Sequence, residues 1–388
     1  MTTSSSRAAG PWVLVVGMHR SNTSALTGML AGLGLALPPA SDLVEGNPDN
    51  PVHYESRALI ELGDRILLTL GGFWDGPPTL APGWPDDPRV TAFDDEALAT
   101  LGQIYGTPGP KVWKDPRLCL LLPYWLRLLD DPAPAVFVWR SPAEVADSLH
   151  RRDGSTFSHG LALWSAYNRA ALNALAGRPV YVVESAQLLD DPTVTAEALA
   201  GWLDAQGVDA PAEGWAIGAA SGVIAPQLSR RSGAGGDVPA EFAAMAERLG
   251  TLSGPHAALA PVDLGVDPPW ADDVLEVHQR MAHFRFQLVD LDHVTGRLRS
   301  DHEELVARFR DLGDTNHRLA QDHTAANEEL ARLRSELAGL RHERDVARTY
   351  ADRVEVELER IRASASWRIT APLRGLGGRP TPGGEPSP

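Results

Sequence analysis

Three short stretches of this chain bring together residue types that hold anions. The first, "GMHRSNTSAL" (17–26), follows an apolar run and sets the guanidinium of Arg20 beside Ser21, Asn22, Thr23 and Ser24. At a strand-to-helix turn such a loop offers backbone N–H groups, the positive end of a helix dipole and hydroxyl donors. That combination binds phosphate or sulfate. The glycine spacing and Lys-Ser/Thr pair that cradle a nucleoside triphosphate are missing. The second stretch, "VFVWRSPAEVADSL", ends an apolar run at Arg140 and places Ser148 eight residues later, a fork and a hydroxyl suited to a second phosphate. Taken singly, each also reads as ordinary: a Ser/Thr-capped helix after a core strand, and a surface arginine. The third is "KVWKDPR". Its Lys111 and Lys114 are the only lysines among 35 basic side chains, so a compact point charge is either needed there or left by chance. No His/Cys cluster has zinc spacing and no Asp-x-Asp run suggests magnesium, so no metal ligand is assigned.

Strands and helices must position these groups. Continuous apolar runs at 12–17, 134–140 and 179–185, with a weaker one at 111–115, predict parallel strands buried on both faces of an α/β domain. Both anion sites then fall at the carboxyl ends of strands, where open parallel sheets bind ligands. Pro and Gly cluster at 76–88, which reads as a surface loop, and 232–270 is rich in Gly, Ala and Pro. The expected organisation is a disordered N-terminus (1–10), the α/β domain (11–265), a linker (266–283), a coiled coil (284–363) and a flexible tail (364–388).

The coiled coil rests on apolar residues at strict sevens from Leu291 through Leu333 and Leu340 to Ile361, with mixed a sites and no proline. It predicts a rod of about 120 Å. Asn316 at an a site suits a parallel dimer, although a partner helix from another protein or a long solvated single helix would fit the same pattern.

The chain of 388 residues carries a formal charge of −16, which argues against a nucleic-acid partner but leaves room for a small basic pocket. Cys119 is the single cysteine, so no internal disulfide is expected. The N-terminal apolar run is short for a signal peptide, and no segment is apolar enough to span a bilayer. A cytoplasmic location is expected. Peripheral contact with the inner face of the membrane is an option, through the Trp- and Arg-bearing "WRITAPLR" near the C-terminus.

With "RSNTS", the Arg140-to-Ser148 unit, "KDPRLCLLLPYW" between them and "NPDNPVHYESRALIELGDRILLTLGGFWD", the chain resembles the bacterial sulfotransferase family over roughly residues 11 to 231. The resemblance implies a P-loop-like parallel-sheet fold and 3′-phosphoadenosine 5′-phosphosulfate as donor, with no metal. It assigns Arg20, Ser21, Asn22, Thr23 and Ser24 to the 5′-phosphosulfate and Arg140 and Ser148 to the 3′-phosphate. "APQLSRR" (225–231) is similar to a basic segment that closes over the donor. One departure is Asn22, where the family usually has Gly; Asn tolerates the left-handed backbone that such a position requires.

Sulfuryl transfer is by analogy an in-line displacement in which the enzyme positions groups and stabilises charge. Glu55, matching a glutamate of the family, is the first candidate for the general base, unless it merely caps the helix after it. His53 is the other candidate, on the same face as Glu55 if the segment is extended. Arg20 and Lys114 are the expected electrostatic stabilisers. Arg117 either contacts the acceptor or pairs with Asp115, and His19 either touches sulfate or faces solvent. Trp74, Trp84, Trp113, Trp125, Tyr54 and Tyr124 lie between the donor motifs and include either sugar-stacking faces or core. "ASASWRITAPLRGLG" resembles a C-terminal element of some bacterial enzymes of surface-polysaccharide synthesis, which points to a carbohydrate or glycolipid acceptor. The alternatives are a non-catalytic scaffold retaining the fold and a P-loop small-molecule kinase.

Overall fold

The computed structural model describes residues 11–46, 52–129, 133–209, 214–224, 236–282, 284, 295, 298–299 and 316–365. The chain divides into two compact units, Met1–Phe286 and Gln287–Pro388. The expected N-terminal disorder (1–10), the closing segment "APQLSRR" and the C-terminal "WRITAPLR" lie outside the described residues.

The first unit is built on a five-stranded sheet of order β2-β1-β3-β4-β5. Strands β1 (Trp12–Val16), β2 (Lys111–Lys114), β3 (Ala135–Trp139) and β4 (Val180–Glu184) run parallel. They match the four apolar runs. The short β5 (Gly254–His256) pairs antiparallel with β4 and closes that edge. Twelve helices surround the sheet among the described residues of this unit. They are α1 (Thr23–Gly32), α2 (Arg57–Thr69), α3 (Pro88–Thr91), α4 (Asp94–Ile104), α5 (Leu118–Leu129), α6 (Pro142–Asp153), α7 (Phe157–Leu175), α8 (Ser185–Asp190), α9 (Pro192–Ala205), α10 (Gly214–Gly222), α11 (Ala240–Gly250) and α12 (269–282).

Alternation along β1 explains the layering. Trp12, Leu14 and Val16 join a core made with α2, α5, α6 and α7, whereas Val13 and Val15 join a second core made with α1, α9 and α10. Both faces of the sheet are covered, so a parallel strand here has no polar face. Trp113, Trp125 and Trp164 are fully buried; truncating such a side chain to Ala costs about 3–5 kcal/mol.

Of the expected linker 266–283, the described residues 266–282 fold with the first unit. Trp270 and Leu275 pack on its core, and Ala271 and Ala282 are buried. Arg169 of α7 donates to both carboxylate oxygens of Asp267, at 2.7 and 3.1 Å.

In the second unit, α13 (Asn316–Ala363) is an unbroken helix of 48 residues. At 1.5 Å per residue it is about 70 Å long. None of its side chains from 327 onward is buried. Of the heptad positions from Leu291 to Leu312, all but Thr295 and the exposed Leu298 lie outside the described residues, as does the side chain of Asn316. No helix among the described residues is long and apolar enough to cross a membrane.

Candidate active site

The sheet order 2-1-3-4-5 reverses direction around β1, so a crevice opens between the carboxyl ends of β1 and β3. The loop after β1 enters it. Gly17 starts this loop because any Cβ there would sit 2.4 Å from the carbonyl oxygen of Val138 in β3. The amide of Ser21 then donates to the carbonyl of Met18 at 3.2 Å. Arg20 and Asn22 both take left-handed backbone, with φ of 67° and 63°. Two such residues in three store strain of the kind that collects at functional sites. Asn22 is the N-cap of α1, but its side chain does not cap the helix. It donates instead to Ser185 Oγ, 2.7 Å away at the start of α8. The first-turn amides of α1 are therefore not closed off by their N-cap side chain.

Helix α6 supplies the facing wall. Glu144, Ser148 and Arg152 are four residues apart and share one face of that helix. Arg140, at the end of β3, pairs with Glu144 at 3.2 Å and donates to the Arg20 carbonyl at 3.1 Å. Arg20 Nε donates to the buried Ser148 Oγ at 2.7 Å. The loop that the sequence assigns to one end of the donor and the Arg140–Ser148 unit assigned to the other are thus directly joined. Arg152, which the sequence reading missed, lies with its guanidinium 4.7 Å from the centre of the Trp74 ring. Its spacing of one helical turn from Ser148 was the signal available.

Lys114 ends β2 and is 2% exposed. Its ammonium pairs with Glu55 and donates to the His53 carbonyl at 2.7 Å and Ser24 Oγ at 3.1 Å. Lys111, three residues earlier and so on the opposite face of the strand, donates to the Gly109 carbonyl at 2.9 Å and takes no part in the site. The ring of His53 is held below its usual 6.5 by burial and by the charges of Lys114, Arg20 and Arg152, against an opposing pull from Glu55. The expected extended segment at His53–Glu55 is broken, because Tyr54 has φ 58°. Both side chains line the cavity all the same. Glu55 does not cap the next helix: Ser56 does, accepting from the Leu59 amide at 3.2 Å.

A cavity of about 440 Å³ lies among these groups. Its walls include Arg20, Asn22, Thr23, Ser24, His53, Glu55, Lys114 and Arg140, as well as His19, Trp74, Arg117 and Arg152. Five of these lining side chains are cations and Glu55 is the single carboxylate, so the local field is positive in a chain of net charge −16. Ser21 is buried beneath the loop, and its Oγ has no hydrogen-bond partner among the described residues. Arg117 is anchored by Asp64 of α2, at 2.5 and 3.0 Å, and by Asp115 at 3.3 Å. His19 packs against Trp74 and Tyr167, with ring centres 5.0 and 5.6 Å away. Burial holds its ring well below 6.5, helped by Arg152, Arg117, Lys114 and Arg20. Of the six aromatic candidates, Trp74 and Tyr54 line the cavity; Trp113, Trp125 and Tyr124 are core, and Trp84 packs against the core. Among the described residues no group of His, Cys, Asp and Glu converges in a way that would hold a metal ion.

No family model and no curated protein matches the chain. Two solved structures to which it is similar are sulfotransferase domains. One comes from the curacin biosynthetic pathway, with 15% identity over 63% of this chain and 99% of that one and a TM-score of 0.40. The other comes from the olefin synthase of Synechococcus PCC 7002, with 20% identity over 62% and 94% of the two chains and a TM-score of 0.37.

Proposed function

We propose that the cavity binds 3′-phosphoadenosine 5′-phosphosulfate and that the chain transfers its sulfuryl group to a hydroxyl of a carbohydrate or glycolipid. The observation that carries this reading is the joining of Arg20, Ser148 and Arg140 at the β1–β3 crevice, beside a Lys114–Glu55 pair. The donor set fits a ligand with two separate anionic ends and an adenosine between them. Arg140 and Ser148 would hold the 3′-phosphate, Arg20 and the loop amides with Asn22, Thr23 and Ser24 would hold the phosphosulfate, and the unpartnered Ser21 Oγ lies beneath the loop. When bound, the donor supplies an electrophilic sulfur and a phosphate leaving group.

The chain's own residues do the rest. Glu55 takes the proton from the acceptor hydroxyl as its oxygen bonds to sulfur and the sulfur–oxygen bond to the 5′-phosphate breaks. Lys114, held beside Glu55, and Arg20 stabilise the negative charge that grows on the leaving oxygen. His53, neutral at pH 7 because its ring is held below 6.5, is the second candidate base.

Calorimetric titration with 3′-phosphoadenosine 5′-phosphate, without magnesium, tests the reading. Wild type binds, and Arg140→Ala weakens binding by about 2–5 kcal/mol, as for a truncated buried charge contact. Absence of binding to either protein would overturn it in favour of a scaffold. Binding that appears only with magnesium and a nucleoside triphosphate would favour a kinase.

A further inference from the structure

The heptad pattern leaves open what α13 pairs with and in which direction. Its flanking positions bear on both questions. With Leu330 and Leu337 at a and Leu333 and Leu340 at d, the g positions are Glu329, Glu336, Glu343, Tyr350 and Glu357. The e positions from the next heptad are Arg334, Arg341, Arg348, Glu355 and Arg362. Acid thus stands at four of five g sites and arginine at four of five e sites on one helix.

We propose that α13 is the seam of a parallel, in-register homodimer. In that arrangement each g residue meets the e residue five positions on in the other strand. Glu329 meets the partner's Arg334, Glu336 meets the partner's Arg341, Glu343 meets the partner's Arg348 and Glu357 meets the partner's Arg362, each pair formed twice. Turning one strand round would set g against g and e against e, bringing Glu to Glu and Arg to Arg. A second copy of the chain supplies both halves of the pattern, so no other helix is required. The a and d side chains Leu330, Leu333, Leu337, Leu340, Val354 and Leu358 remain partly exposed in the single chain, which is the surface such a seam covers. Arg344, a cation at an a site, fits the same register, since it adjoins the partner's Glu343. The in-chain pairs of Glu329 and Glu336 with Arg332 are solvent-exposed and so compete weakly.

The test uses the full chain in sedimentation equilibrium. The expected mass is twice the 41.7 kDa of one chain; a monomer, or any higher state, overturns the proposal. Two charge-swapped chains then probe the pairing. One carries Glu329→Arg, Glu336→Arg and Glu343→Arg, the other Arg334→Glu, Arg341→Glu and Arg348→Glu. Each alone dimerises about a hundredfold more weakly, since attractions become repulsions at every swapped contact. Mixed, they recover wild-type affinity as a heterodimer. Swapped chains that dimerise as well alone as mixed would overturn the charge register, whether or not either is less helical. Direction is read separately: Leu330→Cys cross-links to itself under mild oxidation in a parallel dimer. A dimer that does not cross-link there, with position 330 several turns from its counterpart, overturns the parallel assignment.

Discussion

Replacing Lys114 by Met keeps the volume of the side chain and removes its charge. The structure makes this expensive for a specific reason. Glu55, whose side chain is 12% exposed, loses its ion-pair partner in a site closed by β2 and the loop. The His53 carbonyl and Ser24 Oγ also lose the ammonium as a donor. Stranding one member of a buried pair costs about 3–5 kcal/mol. Glu55→Gln is milder, because an oxygen still accepts from Lys114 and only the charge assistance goes, worth about 1–2 kcal/mol. The double variant leaves no unpaired carboxylate and should be less destabilised than the sum of the two single changes by about 2 kcal/mol. Urea unfolding followed by tryptophan fluorescence measures all four corners of this cycle. The sulfuryl transfer proposed for this site, assayed in parallel, should fall at least a hundredfold in both single variants, although their stabilities differ. The reasoning fails if Lys114→Met is no more destabilising than Glu55→Gln, or if the two effects simply add.

Two further predictions concern the loop and the cavity wall. Asn22→Ala should lower stability by about 2 kcal/mol, combining left-handed strain with loss of the bond to Ser185, whereas Asn22→Gly should stay within about 1 kcal/mol of wild type because relaxed backbone offsets the lost bond; equal midpoints in urea for the two variants would show that φ is not the issue. His19 sits below 6.5 when folded, so the unfolded chain takes up its proton first as pH falls. Stability is therefore full above 6.5 and declines below it by up to about 1.4 kcal/mol per pH unit for this one group. His19→Gln should flatten that slope between pH 6.5 and 5, and an unchanged slope would assign the acid sensitivity to other groups.

What the sequence made legible was chemistry that resides in one short segment. The four parallel strands announce themselves because burial on both faces leaves only apolar residues, and the anion loop does so because Gly17, Arg20 and the hydroxyls are contiguous. The antiparallel β5 is not legible, since "GPH" has neither alternation nor β-branched residues and owes its pairing to the open edge of β4. The assignment of 266–283 to a linker followed its Gly/Pro surroundings. The Asp267–Arg169 contact that ties this stretch down spans almost a hundred residues and leaves no local trace. Arg152 was hidden for another reason. In "HRRD" it looks like a solvated charge, and its value lies in standing one turn beyond Ser148 on a helix whose face the sequence alone does not orient.

The same distinction decides how the proposed anion site should be understood. Arg20 and Arg140 are each visible as candidates, and reading them apart suggests two anions held at two ends of a ligand. The sheet order couples the two. β1 and β3 are neighbours although β2 intervenes in the chain, because the connection from β1 leads to one side and the return leads to the other. Neighbouring strands lie about 5 Å apart, so side chains leaving their carboxyl ends meet. Arg140 reaches the Arg20 carbonyl and Arg20 reaches Ser148, which makes the loop and α6 one continuous donor surface. Loss of Arg140 should consequently disturb the left-handed loop itself as well as the phosphate contact proposed for it. Weakening at both ends of the ligand by a single substitution is the behaviour that two independent subsites would not produce.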